Sequence, residues 1–160
     1  MKLFFGDVII IAVAILVFGL GSYWTRQGMA WYALLKRPAI TPPGWVFSVA
    51  WTIIYICTAV CAALVWRMTL NNTLFYVLGS LFLINAIANV LWTYLFFVQH
   101  IAMWALVDAL VLFATTWVLI GLLAPLCLAC TGLLVPYGLW LCLALYLNWQ
   151  IIVLNVGIFF

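Results

Sequence analysis

Charge is what this sequence has least of. Among 160 residues there are five lysines and arginines and two acidic residues, 4% in all, where a soluble domain carries about 25%. So little polar material cannot cover a soluble fold, and none is left for a separate soluble domain. The net charge of +3 is too small and scattered to hold a nucleic acid. One histidine and two acids supply no nucleophile–base–acid arrangement, no metal-ligand cluster and no phosphate loop. An enzyme in the ordinary sense is not expected. There is no low-complexity tail and no visible internal repeat. What the chain does have is apolar sequence: 72% of residues, with a mean hydropathy of +1.41. Its solvent must be the bilayer, and the expected class is an all-α, multi-pass integral membrane protein.

A spanning helix needs about 20 apolar residues. The sequence predicts five, forming one membrane domain over residues 1–160, with spans at roughly 5–23, 44–66, 74–98, 101–123 and 133–154. Lys2 ahead of the first run resembles a signal peptide. The run is long and is broken early by Asp7, so it reads as a retained span. A polar loop is expected from Thr25 to Pro43. "RMTLNNT" marks the next interface, Gln99-His100 the one after, and "GLLAPLCLACTG", with Pro125, the last. No Lys or Arg falls inside a predicted span. Five spans put the termini on opposite sides. Arg26, Lys36 and Arg37 share the side of the first loop against Lys2 and Arg67, so the positive-inside rule places that loop in the cytoplasm.

Polar residues within spans are costly and face a cavity or another helix. Asn85, Asn89, Trp92 and Phe96 share one helical face, as do Phe47, Trp51 and Tyr55, and Tyr137, Trp140, Ala144 and Asn148. Trp104, Asp108 and Thr115 fall on one stripe of the fourth span. Two readings stand. If these faces converge, they line a pocket of indole and phenol rings suited to a flat, largely apolar ligand with polar edges. Alternatively, Asn and Asp bond helix to helix while Trp and Tyr lie at the headgroup level. Trp24, Trp31, Trp45 and Trp66 sit at predicted span ends and suit that belt; Trp51, Trp92 and Trp140 lie deeper. Asp108 needs donors, from Asn, Trp or Tyr or from a helix start. Cys57 and Cys61 read as small packing residues. Cys127 and Cys130 form a C-x-x-C of the kind a membrane thiol oxidoreductase uses, but without a second pair in an exposed loop they too read as packing thiols. His100, in a short turn, reads as a solvated or capping residue rather than an axial ligand of haem iron.

One stretch stands apart: "WYALLKRPAITPPGWVFSVAWTIIY", residues 31–55, with two adjacent cations, three prolines and three tryptophans. It resembles the signature of the TspO/translocator-protein family of tryptophan-rich sensory proteins, approximately W-Y-x-x-L-x-K-P-x-W-x-P-P followed by an apolar helix. Trp31, Tyr32, Leu35, Pro38, Pro42, Pro43, Trp51 and Tyr55 match. "NVLWTYLFF", "WALVDALVL" and "PYGLWLCLALYLNW" resemble the family's helices 3, 4 and 5 in the right order. There are departures. Ile40 stands where the family has a second lid tryptophan, Arg37 splits the Lys-Pro pair, and no basic residue follows Tyr146 to complete a sterol-recognition pattern.

The resemblance implies a five-helix bundle, often a homodimer, with a pocket under a structured lid loop between helices 1 and 2. Family ligands are porphyrins, haem and its precursors, sterols and synthetic aromatic compounds. The expected function is membrane binding of porphyrins and related tetrapyrroles in their transport, sensing or stress response, with no required cofactor. Light-dependent porphyrin breakdown is a minor alternative, and a thiol oxidoreductase or small transporter the others. Expected ligand contacts are Trp31, Tyr32, Pro42 and Pro43 around the lid; Phe47, Trp51 and Tyr55; Asn89 and Trp92; Asp108; and Tyr137, Trp140, Ala144 and Asn148. Lys36 and Arg37 would form an anion-binding rim. The prolines would stiffen a lid that lacks backbone hydrogen bonds.

Overall fold

A computed structural model of the chain describes residues 2–69 and 73–159, with side chains from Phe5 onward. The Asn pair of "RMTLNNT" and the side chain of Lys2 fall outside the described residues. The elements are α1 (Lys2–Tyr32), α2 (Gly44–Thr69), α3 (Thr73–Phe97), α4 (Ala102–Leu123), α5 (Leu128–Leu154) and a terminal turn, α6 (Val156–Phe159). The first five are long and apolar enough to cross a membrane. They close into a ring: α1 packs on α2 and α3, α2 on α5, and α4 joins α5 to α3. The expected five-helix bundle is present.

Three expected boundaries are corrected. First, α1 does not stop at Tyr23 but runs through "TRQGMA" to Tyr32, so Arg26 is helical and Trp31 and Tyr32 belong to α1. Nothing in Thr25–Tyr32 breaks a helix, and tertiary packing draws it out. Gly28 lies so close to α3 that a Cβ there would collide with the main chain of Phe97, and Trp31 packs edge-on against Phe96 at 5.5 Å. At about 1.5 Å per residue a 31-residue helix is roughly 45 Å long, beyond the ~30 Å hydrocarbon core. The helix is thus longer than one crossing requires, and Arg26, two turns before its end, is exposed.

Second, the loop shortens to residues 33–43, while α2 starts at Gly44, directly after Pro42-Pro43, as expected. Third, α5 begins at Leu128 rather than residue 133, because Cys127 caps it: its Sγ accepts the backbone N–H of Cys130 at 3.1 Å. Pro136 stands inside α5, where it removes one backbone donor. In the α3–α4 turn His100 has a φ of 58°, a conformation unusual for a side-chain-bearing residue. Its ring stacks on Trp31 with centroids 4.1 Å apart. His100 is exposed, as expected of a solvated residue, with one ring face resting on an indole.

The core has three clusters along the bundle. One, near the Arg67 end, joins Cys61, Val65, Leu78, Leu119 and Leu134. The middle one holds Ile54, Ala88, Leu112, Tyr137 and Leu141. The third, under the first loop, holds Leu35, Phe96, Phe97, Ala102, Ile151 and Ile152.

Candidate functional site

The middle of the bundle is crossed by a chain of hydrogen bonds. Tyr55 of α2 donates its hydroxyl to Asn89 Oδ1 at 2.6 Å. Asn89 Nδ2 donates to the Tyr137 hydroxyl of α5 at 3.3 Å. That hydroxyl donates to Asn85 Oδ1 at 3.1 Å. Asn85 Nδ2 ends the chain on Thr115 and Thr116 of α4 at 2.9 and 3.0 Å. Four helices are joined by two amides, each used as both donor and acceptor. Both asparagines are buried, and in a bilayer their only available partners are the other helices. Asn85 and the threonines were missing from the expected ligand contacts. The signal was present in Asn85, one turn before Asn89 on the same face.

Toward the first loop, aromatic rings of α2 and α5 meet. Trp51 stacks on Tyr55 at 5.6 Å and meets Tyr137 edge-on at 6.1 Å. Phe47 packs edge-on against Trp140 at 5.4 Å. Trp92 donates its indole N–H to Asn148 Oδ1 at 3.1 Å, and Asn148 Nδ2 reaches the Ala102 carbonyl at 3.0 Å, tying α3, α5 and α4. Two buried polar atoms here have no hydrogen-bond partner among the described residues: Trp140 Nε1, a donor, and Asp108 Oδ2, an acceptor. Asp108 lies one turn before Leu112, which packs with Tyr137 and Trp140. The expected Asn, Trp or Tyr donor to that oxygen is absent among the described residues.

The other expected contacts divide. Ala144 is half-buried on the inward face of α5. Tyr32 packs against Phe96 and Phe97 at about 6 Å and carries the Arg37 guanidinium 5.3 Å from its ring centroid. Arg37 also lines an open hollow with Pro38, Pro42 and Pro43, so this cation and the proline pair do share the loop surface. The loop is fastened at its middle: Lys36 donates its backbone N–H to Asn155 Oδ1 and accepts from Asn155 Nδ2, both at 2.9 Å. Asn155, beyond the predicted fifth span, was not singled out by sequence. Trp104 does not join Asp108 inside: it is 62% exposed. The buried residues of the first half of α4 are Ala102, Ala105, Asp108, Ala109 and Leu112; the three alanines let α3 and α5 approach, which turns the large indole outward.

Below the hydrogen-bonded layer, between α1, α2 and α3, lies an apolar cavity of about 230 Å³ reaching from Tyr55, Asn89 and Tyr137 down to Trp66 and Phe75. At that far end Arg67 and Asp7 form an ion pair at 2.7 Å.

A ring of five apolar helices, joined inside by tyrosine–asparagine bonds and closed at one end by a proline-stiffened loop, defines a small integral membrane protein with an aromatic and polar interior. The chain belongs to the TspO/MBR family, whose sequence profile matches residues 8–154. It is 35% identical over 127 residues to the tryptophan-rich protein TspO of Bacillus cereus, covering 78% of this chain and 80% of that one. It is 36% identical over 133 residues to protein CrtK of Rhodobacter capsulatus, covering 80% of each. The similarity extends to the translocator protein of Bos taurus, 32% identical over 137 residues, 82% of this chain and 79% of that one.

Proposed function

We propose that this protein binds porphyrins or related flat tetrapyrroles within the bundle and acts in their transport or sensing, by binding rather than by ordinary enzymatic turnover. The observation that carries this is the aromatic site between α2 and α5, where Phe47, Trp51, Tyr137 and Trp140 gather, with Trp140 Nε1 partnerless and the partnerless Asp108 Oδ2 one turn along α4 from Leu112 of the same core cluster. Buried polar atoms are ordinarily satisfied. A ligand with a donor and an acceptor on its edge would satisfy both while its faces lie on the rings. The rings now touch one another, so a macrocycle must part them. That costs roughly 0.5–1.5 kcal/mol per ring pair, offset by stacking on the ligand and by apolar burial. The Tyr55–Asn89–Tyr137 layer forms the floor. Arg37, already above Tyr32, and Lys36 are the cations available to a propionate at the rim.

The test is quenching of tryptophan fluorescence by protoporphyrin IX in the detergent-purified protein, compared with Trp51→Phe and Trp140→Phe. Saturable quenching in the micromolar range that weakens in both variants is the expected result. For Trp51→Ala or Trp140→Ala the expected loss is about 1–3 kcal/mol, judged from base-on-aromatic stacking. Non-saturable quenching, equal in all variants, would mean partition into the micelle and would remove the assignment.

A further inference from the structure

The C-x-x-C in the α4–α5 turn, expected to be a pair of packing thiols, is a disulfide: Cys127 and Cys130 are bonded to each other. Three features of its setting bear on its use. The bond spans only three positions, so it restrains the unfolded chain far less than a bond closing a long loop, and stapling is a poor use for it. The two sulfurs differ in access, since Cys130 is 0% exposed inside the cluster of Cys61, Leu78, Leu119 and Leu134, whereas Cys127 is only partly buried. Finally, Cys127 is the N-cap of α5 and its sulfur already accepts the Cys130 N–H. A thiolate formed there is stabilised by that donor and by the helix dipole. Cys57, Cys61 and Cys142 are free.

We propose that Cys127–Cys130 is a thiol–disulfide exchange site, with Cys127 the sulfur that is attacked and Cys130 its buried partner, acting on dithiols. A thiolate of the dithiol attacks Cys127 Sγ. The Cys127–Cys130 bond breaks, and its electron pair leaves on Cys130 Sγ, which takes up a proton. The second thiol of the dithiol then attacks its own sulfur in the mixed disulfide and expels Cys127 as the helix-capped thiolate, which takes up the second proton. The dithiol is oxidised by two electrons and the cysteine pair reduced by two. Gly121 to Val135 contains no charged residue, and Leu126 and Leu128 are exposed beside the bond. An uncharged dithiol is therefore a better partner than the anionic glutathione.

The experiment counts thiols with a maleimide mass tag on the full chain, denatured after each treatment. Three tags are expected from the untreated protein, five after the folded protein meets dithiothreitol, and three again after oxidised dithiothreitol. Reduction by glutathione at equal thiol concentration should be slower. Offered glutathione disulfide, Cys130→Ser should trap a mixed disulfide at Cys127, with Cys127→Ser reacting about tenfold more slowly at the buried sulfur. Five tags at the outset would overturn the proposal. So would three tags that rise to five only when the reductant is added after unfolding, which marks an inert staple. Equal trapping in the two variants would overturn the assignment of Cys127. None of these readouts depends on porphyrin binding.

Discussion

Asn89 holds two tyrosines at once, Tyr55 through its oxygen and Tyr137 through its amide nitrogen. Asn89→Ala removes the acceptor of Tyr55 and one of the two partners of Tyr137, whereas Tyr55→Phe removes a single bond. Interhelical hydrogen bonds in membrane proteins average about 0.6 kcal/mol and reach about 1.7. Asn89→Ala should therefore cost about 1–2 kcal/mol and Tyr55→Phe less than 1, measured by thermal unfolding in detergent. Glycine gives a sharper contrast within a single helix. At Gly28 an added Cβ meets the Phe97 main chain, which cannot yield as a side chain would, while at Gly19 it meets nothing within 4 Å. Gly28→Ala should destabilise by about 1–3 kcal/mol. Gly19→Ala should be neutral or slightly stabilising, since alanine is the better helix former. Equal effects in the same unfolding assay would mean that α1 and α3 do not approach as described.

At the scale of elements, the first loop is short because α1 is long. Residues 33–43 return directly into α2, with Thr41 bonded back to the Pro38 carbonyl through both its N–H and its hydroxyl. Besides the burial of Leu35 against the bundle, they are tied to it by the pair of bonds from Asn155, which also anchors the end of α5 through the Ile151 carbonyl. Asn155→Ala should free the Lys36 backbone without unfolding the helices. The expected readout is faster amide exchange confined to residues 33–41, with faster release of bound protoporphyrin if the loop is a lid. Exchange spreading through α5 would instead make Asn155 part of the core fold. The aromatic face of α2 was legible from its four-residue spacing, because Phe47, Trp51 and Tyr55 all turn inward toward α5 or Asn89. The stripe on α4 was only half legible. Spacing grouped Trp104 with Asp108, yet only Asp108 and the threonines mark the inward face of α4, and an indole one turn from Asp108 fits lipid as well as core.

The whole molecule has two dissimilar ends. Lys36 and Arg37, His100 on Trp31, Asn155 on the loop and Phe159 against Trp31 at 6.1 Å gather at one end. Arg67 with Asp7 and the Cys127–Cys130 turn belong to the other ends of the same helices. In a cysteine-free background, Ala39→Cys and Gln99→Cys should react with an impermeant maleimide from one side of the membrane and Met68→Cys from the other. The basic residues of the loop make its side the expected cytoplasmic one. Labelling of all three from one side would break the five-span topology.

Composition alone determined that this chain lives in a bilayer, because seven charged residues in 160 cannot coat a soluble surface. Hydropathy and proline placement gave the number of spans, and four ordered motifs gave the family, since such motifs are local and survive without knowledge of packing. Tertiary structure decided the rest. Close approach at Gly28 carried α1 on to Tyr32, small residues on α4 turned Trp104 outward, and two asparagines one turn apart drew in partners from three other helices. It also brought Cys127 and Cys130 into a bond and left Trp140 Nε1 and Asp108 Oδ2 without partners. When nearly every residue of a helix is apolar, the apolar pattern no longer marks an inward face. Only the fit of helix against helix, and the need of each buried polar atom for a partner, selects one.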